Sequence, residues 1–120
     1  MRKQIVIAGC RDYENYTEAK AYIEACIAEM GGKASVVFLS GGCRGADMLG
    51  ERFAKENDIP VIRYCAEWRR YGKRAGLKRN LQMAKDCDYI ICFWDGKSRG
   101  TASMIAYARE MNKQLKIIRI

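Results

Sequence analysis

Histidine is absent from all 120 residues. Without an imidazole there is no Ser–His or Cys–His nucleophile pair, no histidine metal ligand and no histidine pH switch. Proline occurs once, and with 49% hydrophobic and 30% charged residues the composition is globular rather than disordered. No C-x-x-C pair joins any of the six cysteines, Cys10, Cys26, Cys43, Cys65, Cys87 and Cys92. Reduced thiols are expected, with no metal and no cofactor. Long apolar runs are missing too, so no segment reaches membrane-spanning length, and no membrane partner is expected. After Met1-Arg2-Lys3 the apolar run reaches only from Ile5 to Ala8, short of a signal peptide. The expected location is the cytoplasm, and the expected organisation is one domain over residues 1–120.

Basic residues are abundant: 22 Lys and Arg against 14 Asp and Glu give a net charge of +8. Such a surface attracts nucleotides, phosphosugars or nucleic acid, and charge alone does not choose among them. Along the chain, short apolar runs alternate with helix-period stretches, the pattern of an α/β domain with a parallel sheet. Strands are expected at 4–8, 34–39, 59–64, 89–94 and 115–120. Four helices are expected between them, the first opened by a capping box at Asn15 and Glu18, the third at 77–85 and the last at 101–111. Residues 65–76 are polar, basic and glycine-punctuated, and read as an irregular excursion.

With right-handed crossovers, every loop that follows a strand lies on the same sheet edge. Those loops collect the unusual residues. The first carries Gly9, Cys10, Arg11, Asp12 and Tyr13. The second reads Ser40-Gly41-Gly42-Cys43-Arg44-Gly45-Ala46-Asp47. Its glycines either bring backbone N–H groups against a phosphate or simply make a tight strand-to-helix turn. The fourth, Asp95-Gly96-Lys97-Ser98-Arg99-Gly100-Thr101, repeats the design. Its Gly-Lys-Ser is no P-loop, because Ile91 stands where the first glycine belongs. Asp95 either binds a sugar hydroxyl or caps its own turn. In the excursion, Trp68 and Tyr71 sit among Arg69, Arg70, Lys73, Arg74, Lys78 and Arg79, which suits a nucleobase or single-stranded nucleic acid, or a solvated basic face.

The four ordered blocks, Gly9 to Tyr13, Ser40 to Asp47, Trp68 through Tyr71-Gly72-Lys73 and Ala75-Gly76 to Arg79-Asn80, and Phe93 to Thr101, resemble the YspA/YpsA-related branch of the SLOG superfamily. Cys10 stands where that family usually has serine. The superfamily also contains cytokinin-activating phosphoribohydrolases and the DNA-processing protein A family. The resemblance implies a Rossmann-like three-layer sandwich with strand order 3-2-1-4-5. It also implies a phosphate-sugar pocket lined by Gly41, Gly42, Gly45, Gly100 and Thr101. The glutamates that follow the Gly-Thr pair in the phosphoribohydrolases are replaced here by Ala102, Ser103 and Met104.

The leading expectation is binding or sensing of a nucleotide or nucleotide-derived ligand in a cationic recess on that edge. Arg11, Arg44, Arg79 and Arg99 would hold phosphates, Asp47 or Asp95 would read sugar hydroxyls, and Gly9, Ser40, Asn80, Gly96 and Ser98 would complete the lining. One alternative is a hydrolase of an N-glycosidic or phosphate linkage with Asp47, Asp95 or Glu67 as its carboxylate. The other is single-stranded nucleic-acid binding. Assembly into a homo-oligomer is a further expectation, from the apolar residues that several helices carry beyond one narrow face.

Overall fold

The computed structural model describes residues 2–120. The apolar runs become strands β1 (Lys3–Gly9), β2 (Val36–Ser40), β3 (Val61–Arg63), β4 (Tyr89–Trp94) and β5 (Gln114–Arg119). All pair in parallel within one sheet, in the order β3-β2-β1-β4-β5. The helices are α1 (Tyr16–Glu29), α2 (Ala46–Glu56), α3 (Trp68–Tyr71), α4 (Ala75–Asp86) and α5 (Arg99–Glu110). This is the Rossmann-like α/β sandwich, in the strand order that the resemblance implies.

Side chains alternate across β1, so Ile5 and Ile7 face one way and Val6 and Ala8 the other. The first set joins Phe38 and Phe93 beneath Ile23 and Ile27 of α1 and Phe53 of α2. The second joins Leu39 and Cys92 beneath Met83 of α4 and Met104 of α5. A strand covered on both faces must be apolar throughout. β4 meets that demand, with Ile90, Ile91, Cys92 and Phe93 fully buried. Each large buried side chain of this kind contributes roughly 1.5–3 kcal/mol. A Cβ at Gly50 of α2 would come within 2.7 Å of Ile7, so that glycine lets α2 lie close on β1.

Several local features differ from the expected elements. Ala34 and Ser35 belong to a 3₁₀ turn (Lys33–Ser35) rather than to β2, because the Ser35 N–H closes onto the Gly32 carbonyl. β3 is only three residues long, although Phe38 N–H donates to Pro60 O and Tyr64 N–H to Ser40 O, which extends the pairing at both ends. The excursion at 65–76 holds the short helix α3 and a 3₁₀ turn (Gly72–Arg74), which raises the α-helix count from four to five. α5 starts at Arg99 rather than Thr101, because Asp95 Oδ1 accepts the N–H groups of Lys97 and Ser98 at 2.8 Å each and closes the loop early. At α1, Asn15 Oδ1 accepts Glu18 N–H at 3.1 Å, one arm of the capping box. The other arm is diverted, since the Glu18 carboxylate takes the Tyr13 hydroxyl. Among the described residues no helix is long and apolar enough to cross a membrane.

Candidate ligand recess where the strand order reverses

The chain moves outward from β1 to β2 and β3, then returns to place β4 on the other side of β1. In open α/β sheets a crevice forms at the carboxyl ends of the strands at such a reversal. Here Cys10, just past β1, ties that crevice together. Its N–H donates to Phe93 O at the end of β4 (3.1 Å), and its carbonyl accepts from Ala46 N–H at the start of α2 (3.2 Å) and from Tyr13 N–H (3.3 Å). Its Sγ accepts the Asp95 N–H at 3.3 Å. Burial pushes the Cys10 thiol above its ordinary pKa, so it stays protonated as a structural contact. Such close backbone approach excludes side chains. A Cβ on Gly9 would collide with the Phe93 carbonyl, and one on Gly45, whose φ is +83°, would collide with the Cys10 carbonyl and the Arg11 backbone.

Around this junction lies a recess of about 470 Å³. The β1 loop contributes Gly9, Cys10, Arg11 and Asp12, the β2 loop and α2 contribute Cys43 and Asp47, and α4 contributes Arg79 and Asn80. Asp95, Lys97, Ser98, Gly100 and Thr101 close it from the β4 side.

Arg79 is anchored by its own helix and by the β2 loop. Nε donates to Asn80 Oδ1 (3.1 Å), Nη1 to Gly41 O (2.9 Å) and Nη2 to Cys43 Sγ (3.6 Å). A guanidinium has five N–H groups, so about two remain free for a ligand. Gly41 is needed for this fit, because a Cβ there would stand 2.9 Å from Asp47 Oδ2 and 3.1 Å from Arg79 Cζ. Asp47 is 7% exposed. Burial raises its pKa to about 6, against the lowering effect of the Cys43 N–H and the Arg79 charge. A carboxyl poised there can give or take a proton near neutrality. Asp95 is the opposite case: the Ser98 and Lys97 N–H groups hold it below the usual carboxylate range.

At the mouth of the recess is the first turn of α5, whose leading N–H groups have no partner inside the helix. Ser98 and Thr101 place hydroxyls there, 3.2 Å apart, and nothing lies within 4 Å of where a Cβ of Gly100 would stand. The lining holds three cations, Arg11, Arg79 and Lys97, and three carboxylates, Asp12, Asp47 and Asp95. The recess is therefore balanced in formal charge, not cationic as expected from the arginine count. Of the carboxylates, Asp12 pairs with Arg44 at 3.5 Å, whereas among the described residues Arg11 and Lys97 have no carboxylate within 4 Å.

Several expected ligand residues sit elsewhere. Gly41, Gly42 and Gly45 shape the loop from beneath without lining the recess. Ser40 turns its hydroxyl to Glu51 (2.6 Å) and accepts Gly42 N–H. Glu51 also pairs with Arg63; burial pushes its pKa up, but the Arg63 and Ser40 bonds outweigh that and leave it lowered. Arg44 points outward beside Asp12, Arg99 is exposed, and Gly96 lies under the Arg119 guanidinium. Glu67 lines a second recess of about 410 Å³ between α3 and α4, which shares Arg79 with the first. Cys10, Asp12, Cys43 and Lys97 line the first recess although none was among the expected ligand contacts. Their place in the same strand-end loops was the available signal.

Comparison with known proteins agrees with this fold. The DNA processing protein A of Streptococcus pneumoniae superposes with a TM-score of 0.76 over all of this chain and 51% of its own, at 18% identity. The Helicobacter pylori protein of the same name, described for its single-stranded DNA binding mode, gives 0.68 over 96% of this chain and 64% of its own, at 23% identity. A structural-genomics target, TM1055, gives 0.66 over 96% of this chain and 72% of its own, at 18% identity. These likenesses establish the fold. In sequence, the Gene 61 protein of Mycobacterium phage D29 is 34% identical over 82 residues, 62% of this chain and 65% of that protein. The chain thus spans about two thirds of the phage protein and about half of the streptococcal one. A family model matches residues 3–71, more than half of the chain and inclusive of the β1 and β2 loops that form one side of the recess. The chain belongs to the YspA, cpYpsA-related SLOG family.

Proposed function

We propose that the recess where the strand order reverses binds a nucleotide or nucleotide-derived ligand through its phosphate. The observation that carries this reading is convergence: one recess collects three strand-end loops, the anchored Arg79 and the open first turn of α5. A helix start offers unpaired N–H groups and a positive dipole end to an anion. Arg11 and Lys97 add free charge, and Asn80, Ser98 and Thr101 supply neutral hydrogen-bonding groups for oxygens. Asp47 and Asp95 are the carboxylates available for sugar hydroxyls. Gly100 has the role of leaving space, since without a side chain its backbone can approach a phosphate more closely.

The test uses that space. The expected outcome is that nucleotides raise the melting temperature of the wild-type protein by binding the folded state. Gly100→Ala keeps or raises the melting temperature without ligand, because the site is helical and open, yet loses most of the ligand-induced shift. Absence of any shift across nucleoside mono-, di- and diphosphate-sugar probes refutes the reading.

One observation favours a second reading, single-stranded nucleic acid along the α3 side. Trp68 is 56% exposed among the cations of residues 69–79. Stacked bases and backbone phosphates together suit such a surface. That binding would weaken steeply with salt, and Trp68→Ala would remove it while leaving mononucleotide shifts intact.

A further inference from the structure

Apart from the shared Arg79, the second recess has no role in the phosphate site proposed above. It lies between the end of β3, α3 and α4, and its lining mixes the aromatic and aliphatic Tyr64, Tyr71, Ala75 and Leu81 with polar and charged side chains in nearly equal measure. The wall is set in advance. Asp86 accepts the Tyr64 hydroxyl at 2.6 Å through Oδ2 and the Gln82 amide at 3.0 Å through Oδ1, so one carboxylate fixes both lining side chains. Burial, with the bond to Asp86, pushes the Tyr64 phenol up to about 12, which keeps it neutral. Tyr71 is flanked by cations, with Lys78 Nζ 4.5 Å and Arg70 Cζ 5.0 Å from its ring centroid.

Aromatic and aliphatic walls interleaved with hydrogen-bonding groups suit a planar heteroaromatic ring, which is apolar on its faces and polar on its edges. Glu67 offers an acceptor, and Lys78 and Arg79 offer donors, the two complementary functions that a base edge presents. The connection to the first recess is Arg79 itself, which lines both. Arg79 therefore borders both a phosphate-sized cradle and a base-sized slot.

We infer that the recess between α3 and α4 is the base subsite of the same ligand, so that a nucleoside 5′-phosphate lies across Arg79 with its phosphate at the strand ends and its base against Tyr64 and Tyr71. This rests on the proposed phosphate site. It also assigns Tyr71 and Gln82 as specificity residues with no part in holding phosphate.

The experiment compares ribose 5-phosphate, which has no base, with the four nucleoside 5′-monophosphates by calorimetric titration. With wild-type protein at least one nucleotide binds about tenfold or more tightly than ribose 5-phosphate. Two variants test where that advantage arises: Gln82→Trp, an exposed position, fills the slot, and Tyr71→Ala removes part of its wall. Both abolish the advantage and leave ribose 5-phosphate affinity unchanged. A nucleotide advantage that survives both variants, or no advantage in wild type while ribose 5-phosphate binds, overturns this subsite and leaves the phosphate site standing. Failure of every probe to bind overturns both.

Discussion

The two recesses share one arginine and are built by opposite means. Around the first, backbone lies close on backbone and on buried side chains: Gly9, Gly41 and Gly45 sit where a Cβ would strike a carbonyl, a main-chain atom or the side chains of Asp47 and Arg79. Around the second, side chains do the enclosing, and the nearby glycines have room: nothing lies within 4 Å of a Cβ at Gly72, and a Cβ at Gly76 meets Trp68 only at 3.6 Å. A main-chain cradle cannot readily be retuned, because its dimensions are fixed by hydrogen bonds such as Cys10 N–H to Phe93 O. A side-chain wall can change with every substitution. The division suits a ligand whose phosphate is common to many metabolites and whose other end must be selected.

The strongest way to break that comparison is Gly45→Ala. The backbone there, at φ +83° and ψ −132°, lies in a region that only glycine enters comfortably, and the added methyl would overlap the Cys10 carbonyl. Strain and collision together are expected to remove roughly 3–5 kcal/mol of stability, measured by urea denaturation. A loss below about 1 kcal/mol would show that the junction yields easily and is no rigid cradle.

Next in size is Asp47→Asn, read as a function of pH. The Asp47 carboxyl rises from 3.8 in its ordinary state to about 6 in the folded protein, chiefly by burial. The native state therefore holds this proton more tightly than the unfolded chain does. Its contribution is most favourable below about pH 4, falls as pH rises from about 4 to 6, and is then constant, a span of about 3 kcal/mol. Asparagine does not titrate, so subtracting the variant's stability profile from that of wild type isolates this slope. A flat difference curve between pH 4 and 6 would refute the assignment. The same variant removes the negative charge beside Arg79, so inorganic phosphate binds it more tightly than wild type at pH 7.

What could be read in the sequence follows this same division. Strand β4 is legible because a doubly covered strand tolerates nothing polar, and the order of blocks along the chain, with the resemblance they carry, implied the sheet order. The glycines marked the strand-end loops correctly as places of close approach. They did not reveal that the approach is mostly loop to loop, as at Gly45 against Cys10, rather than loop to ligand. Arginine identity was less informative still. Arg44 and Arg79 look alike in a sequence, yet one is 76% exposed beside Asp12 and the other is pinned across two recesses. That difference comes from long-range partners such as the Gly41 carbonyl, 38 positions away. Helix α3 was hidden for another reason: four residues carry too little periodicity to show against a basic background.

The smallest expected effect carries the opposite sign. Gly76 is the second residue of α4, and a methyl group there would make ordinary contact with Trp68 Cη2 at 3.6 Å. Gly76→Ala reduces the freedom of the unfolded chain without straining the folded one, so it is expected to add a few tenths to about 1 kcal/mol. Chemical denaturation beside Gly45→Ala gives the sharpest form of the comparison: the same substitution at two glycines, with a loss at the strand ends and a gain at the wall. Were Gly76→Ala to destabilise as much as Gly45→Ala, the α3–α4 side would be as tightly set by its backbone as the cradle is. Selection of a base there could then no longer be attributed to side chains alone.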